Sequence, residues 1–132
     1  MNKAGKQNNR SRVLIVSLPG MMQNVLRDTF ANRKDVMVVG VASGCLSAVG
    51  MIQEQLPDLV VIDSNLPHIE TCALISWLKE EHPQINSLVL VETTQQLNKV
   101  ANAGADVTLR SYSFPESLER ALDNLRLNHD NQ

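Results

Sequence analysis

The side chains able to do chemistry in this chain sit where apolar runs stop. Asp63 closes Leu59-Val60-Val61-Ile62 and is followed by Ser64-Asn65-Leu66-Pro67. A carboxylate in that place can be a nucleophile, a metal ligand or a cap for the loop amides around Asn65 and Leu66. Ser17 and Leu18 close Val13-Leu14-Ile15-Val16, while Glu92, Thr93 and Thr94 close Leu88-Val89-Leu90-Val91. The question is which of three roles this one acid plays.

Other reactive side chains offer little. His68, His82 and His129 fall in a loop, at a helix end and near the C-terminus, without the spacing of a metal site. Cys45 and Cys72 stand alone on helical faces, which makes them buried thiols rather than a disulfide or a metal site. Ser76-Trp77-Leu78-Lys79 has the S-x-x-K spacing of serine β-lactamases, but it lies within a helical stretch and nothing else of that chemistry accompanies it. Chance explains it, and Trp77 is expected at the rim of a helix's core face. No phosphate-binding loop, dinucleotide glycine motif or nucleophile elbow occurs.

Composition narrows the partners. Twelve basic against fourteen acidic residues leave a formal charge of −2, and one Trp, one Tyr and two Phe are too few for base stacking. A nucleic-acid surface is therefore not expected. No apolar run approaches the roughly 18 residues of a membrane span, and no signal-type apolar stretch follows Lys3, Lys6, Arg10 and Arg12. A cytoplasmic protein, with no membrane contact, is expected. Its 132 residues suit one domain with one core.

The elements that must position Asp63 follow from hydrophobic period. Residues 1–11 read as a flexible tail, residues 12–127 as the domain and residues 128–132 as a C-terminal tail. The runs at Val13–Val16, Leu59–Ile62 and Leu88–Val91 are apolar throughout, so they are strands covered on both faces. Val36–Ala42 and Val107–Arg110 are the remaining strands and belong at the edges. Helical stripes run between them: Met21, Met22, Val25, Leu26 and Phe30; Cys45, Ala48, Val49, Ile52 and Leu56; Ile69, Cys72, Ile75 and Leu78. Leu97, Val100 and Ala101 form a short fourth stripe stopped by Gly104, and Leu118, Ala121, Leu122 and Leu125 form the last. Ser113-Phe114-Pro115-Glu116 fits a capping box for that last helix, and Gly50 inside the second implies close packing there. The fold class is α/β, a doubly wound flavodoxin-like (βα)5 with a parallel five-stranded sheet in the order 2-1-3-4-5. That order sets Ser17-Leu18 and Asp63 in one crevice.

With these residues in place, the chain resembles a response-regulator receiver domain over residues 12–127. The resemblance rests on Pro57-Asp58-Leu59-Val60-Val61-Ile62-Asp63 with Leu66-Pro67, on Val38-Val39-Gly40-Val41-Ala42 with Ala48, and on Ala103-Gly104-Ala105-Asp106. The last two are similar to receivers of LuxR/NarL-type DNA-binding regulators. The resemblance implies that Asp63 is the candidate phosphoacceptor for a histidine kinase. It also implies an acidic pair holding Mg²⁺, a switch hydroxyl after the fourth strand and a lysine after the fifth. This chain departs at each of those three. Ser17 and Leu18 replace the acidic pair, Glu92 followed by Thr93 takes the switch position, and Ser111 replaces the lysine. Arg110 is adjacent, but strand alternation aims it to the other face.

Phosphoryl transfer depends on positioning and on positive charge. Near 4 Å and an effective dielectric of about 20, one carboxylate attracts a divalent ion by roughly 8 kcal/mol before desolvation. If about 2 kcal/mol survives, each lost carboxylate weakens binding roughly 30-fold. Any Mg²⁺ site would rest on Asp63 and Asn65 and be weak or absent. The expected function is a two-component receiver-like domain acting mainly as a protein-interaction module, not an enzyme, with phosphorylation weak or absent. The alternative is a working phosphoreceiver that takes a phosphoryl group on Asp63 and controls a transcriptional effector. Protein partners, a histidine kinase or an effector, and a homodimer are the interactions this implies.

Overall fold

The computed structural model describes residues 10–63, 65–114 and 116–130. The tail read at residues 1–11 therefore lies largely outside the described residues, as do Ser64, Pro115 within the expected capping box, and the side chain of His129.

Five strands alternate with five helices: β1 (Ser11–Val16), α1 (Met21–Ala31), β2 (Val36–Ala42), α2 (Cys45–Gln55), β3 (Leu59–Ile62), α3 (His68–Glu81), β4 (Asn86–Val91), α4 (Thr94–Ala103), β5 (Val107–Arg110) and α5 (Leu118–Asp130). The sheet is parallel in the order β2-β1-β3-β4-β5, as the apolar runs imply. β1 starts at Ser11 because its N–H bonds Asp35 O at 2.9 Å, so the last residue of the expected tail lies in the sheet.

Alternation along each central strand feeds two cores. Leu14, Val16, Val60, Ile62, Val89 and Val91 face α2, α3 and α4. Val13, Ile15, Val61 and Leu90 face α1 and α5, where Phe30 meets Phe114 with ring centroids 6.5 Å apart. Trp77 is half-buried at the rim of the first core, edge-on to His82.

Some local readings change. Gly50 has no intramolecular packing reason: a Cβ there would meet nothing within 4 Å. The close approach is at Gly40 instead, where a Cβ would stand 3.1 Å from Leu14 Cδ1. At the last helix, the Ser113 hydroxyl donates back to Arg110 O at 2.9 Å, and α5 begins only at Leu118. Helix α4 closes as expected on Gly104, whose φ of 116° lies in the left-handed region that glycine adopts without cost.

Candidate functional site at the carboxyl edge of the sheet

Register brings the site together. Val16 pairs with Ile62, so the next residues along the two strands, Ser17 and Asp63, come side by side. Two bonds carry the ladder past the strands: Asp63 N–H to Val16 O and Ser17 N–H to Ala42 O, each 2.9 Å. Because partners in register point to the same face, both side chains turn into one buried space. Ser17 is 0% and Asp63 1% exposed.

Within that space Ser17 Oγ lies 3.0 Å from Asp63 Oδ2 as its donor, and also 3.3 Å from Leu18 O. Among the described residues, Asp63 Oδ1 has no hydrogen-bond partner, and the donor to this carboxylate comes from β1. Asn65 is exposed, and Leu18 is 42% exposed at the mouth. Gln23 of α1 braces this corner by donating to Ser17 O at 2.7 Å. Among the described residues, no group of three or more His, Cys, Asp or Glu side chains converges as a metal site would require.

The β4–α4 turn is committed elsewhere. Thr93 is the N-cap of α4: its Oγ1 accepts from Gln96 N–H at 3.1 Å, and Gln96 Oε1 accepts from Thr93 N–H at 3.3 Å. This is a full capping box, which the spacing Thr93-x-x-Gln96 carries in plain sight and which sequence reasoning passed over. Glu92 is exposed. Val91 pairs with Arg110, so the Arg110 side chain shares the α4 face with Val91. Its guanidinium donates to Glu92 O at 3.3 Å and to Thr94 Oγ1 at 2.7 Å. Ser111 opens a short 3₁₀ turn (Ser111–Ser113) and is half-buried.

Of the thiols, Cys45 is buried at the start of α2 and Cys72 is half-buried on α3, and neither forms a disulfide. Burial, with Glu70's negative charge adding to it, pushes the Cys45 thiol above its ordinary pKa despite a hydrogen bond with Thr71.

A doubly wound sheet with an acid at the mouth of its middle strand is the arrangement of a receiver domain. The chain matches the response regulator receiver domain family over residues 13–123 and belongs to it. It is 30% identical over 103 residues to a protein-glutamate methylesterase/protein-glutamine glutaminase of Methanospirillum hungatei, covering 78% of this chain and 28% of that protein. It is 29% identical over 109 residues to the transcriptional regulatory protein YhcZ of Bacillus subtilis, covering 81% of this chain and 51% of that one. The chain thus spans about half or less of these relatives. Among solved structures, it is similar to the isolated receiver domain of RcsB from Salmonella enterica serovar Typhimurium (TM-score 0.77, 19% identity, 89% of each chain). The response regulator domain of Thermotoga maritima CheB is also similar (TM-score 0.71, 24% identity, 89% of this chain and 95% of that one). Among the described residues, no helix is long and apolar enough to cross a membrane.

Proposed function

We propose that this receiver domain works mainly as a cytoplasmic protein-interaction module in two-component signalling, with phosphorylation of Asp63 weak or absent. One observation carries the reading: Asp63 is closed in with a neutral hydroxyl, Ser17 Oγ at 3.0 Å, where a second carboxylate would be needed to hold a divalent ion. Mg²⁺ prefers carboxylates plus phosphate oxygens and water in near-octahedral order. A single buried carboxylate with a serine, a leucine and an exposed asparagine around it does not fit that demand. Positive charge is short as well. Arg110, next to the position read as the lysine's, spends its guanidinium on the β4–α4 turn.

The partners in this reading are proteins, a histidine kinase or an effector, with self-association as a homodimer. Catalysis by the domain itself is no part of it. A second reading, a phosphoreceiver that works through Asp63 and controls a transcriptional effector, is favoured by the Oδ1 atom, which has no partner among the described residues. Incubation with Mg²⁺ and acetyl phosphate, followed by intact-mass measurement, separates the two. The module reading predicts no more than a trace of singly phosphorylated chain. Stoichiometric modification abolished by Asp63→Ala would establish the second.

A further inference from the structure

Gln96, in the first turn of α4, ties three segments through one side chain. Its Oε1 accepts the backbone N–H groups of Glu92 and Thr93. Its Nε2 lies 3.2 Å from Nε2 of His68, the first residue of α3. Arg110 holds the same turn from β5 through Glu92 O and Thr94 Oγ1.

The orientation of that amide is fixed by its partners. Oε1 must face Glu92 and Thr93, because a rotated amide would set its NH₂ against two N–H donors. The NH₂ therefore faces the imidazole, and His68 completes the bond only by accepting at Nε2, as a neutral ring with its proton on Nδ1. An imidazolium carries a hydrogen on both nitrogens, and at Nε2 it would meet the Gln96 donor head-on. The ring can then keep a bond only if the amide turns over, which strips Glu92 N–H and Thr93 N–H of their acceptor.

We propose that the His68–Gln96 contact is a proton-operated joint: the neutral ring ties the start of α3 to the first turn of α4, and the charged ring releases it. Lower down, the two helices stay fastened by Cys72 Sγ to Lys99 O at 3.7 Å and Ser76 Oγ to Ala103 O at 3.3 Å, so release is confined to the upper turn. His68 also follows directly on the loop that leaves Asp63. The joint therefore couples that loop to the β4–α4 turn, whether or not Asp63 accepts a phosphoryl group. The charged groups on the elements that meet here are Glu70, Lys79, Glu80 and Glu81 on α3, Glu92 on the turn, Lys99 on α4 and Arg110 on β5. Glu92, whose N–H is one of the two that Gln96 Oε1 accepts, is the competing sensor.

The test follows the full chain by amide NMR from about pH 8 to about pH 5, the interval in which histidine changes charge. The amides of Glu92, Thr93 and Gln96 are expected to move together with the His68 ring resonance. Their hydrogen exchange, corrected for the intrinsic rate, is expected to quicken about 2- to 10-fold on the acid side, as loss of one hydrogen bond implies. Both responses disappear in His68→Ala and persist in His82→Ala. Turn amides that ignore the ring titration would overturn the proposal. So would a response kept in His68→Ala and lost in Glu92→Gln, which would make Glu92 the sensor.

Discussion

Asp63 Oδ2 draws its donor from Ser17 Oγ, and both side chains are closed off from water. Removing the donor takes away the bond that the described residues supply to this buried carboxylate, at a cost of about 1–3 kcal/mol. Ser17→Ala is therefore expected to lower the unfolding free energy by about that amount, read as a lower urea midpoint at unchanged slope. A variant as stable as the parent would mean that this bond contributes nothing. Thr93 shows a different commitment. Its hydroxyl caps α4 and Gln96 answers it, so the turn after β4 is held by its own residues and by Arg110. The residue types at Ser17, Leu18, Glu92 and Ser111 were plain in the sequence. The bond between Ser17 and Asp63 was not, because it depends on the register of two strands 46 residues apart in sequence.

At the scale of elements, the strands were legible because β1, β3 and β4 are covered on both faces and read as unbroken apolar runs. The helices were legible from their stripes. What local pattern could not supply was the direction of single side chains: Ser113 turns back to Arg110 O instead of capping α5, and the outside of Gly50 is empty. An exposed glycine within a helix costs backbone entropy with nothing in return. Gly50→Ala is expected to stabilise α2, and with it the fold, by about 0.4–1 kcal/mol, read as a higher denaturant midpoint. Destabilisation would contradict the open space seen on that face. The far ends of the sheet are held by polar contacts that hydropathy does not reveal. Arg12 reaches Gln55 O and Leu56 O at the end of α2, and Lys79 pairs with Asp106 at 2.7 Å.

For the molecule as a whole, strand order determines which residues share the site. β1 beside β3 makes the residue after Val16 the neighbour of Asp63. A serine there hydrogen-bonds the acid, and an acidic residue in its place is expected to open a place for a cation. Elsewhere the frame is braced. Arg33 spans Asp35 and Glu119, tying the α1–β2 loop to α5. Burial would lower its pKa, but these two carboxylates outweigh burial and hold it above the ordinary value. On the function proposed above, the cation-poor pocket leaves a module that presents surfaces more readily than it accepts a phosphoryl group.

Magnesium affinity tests this most directly, measured by amide-shift titration of the wild type, Leu18→Asp and Ser17→Asp/Leu18→Asp. The exposed Leu18 position admits an aspartate even if the buried Ser17 position does not. The wild type is expected to show no saturable site at millimolar Mg²⁺, and each restored carboxylate is expected to tighten binding by about 30-fold. Saturation of the wild type at submillimolar Mg²⁺, or variants that bind no more tightly than it does, would contradict the account.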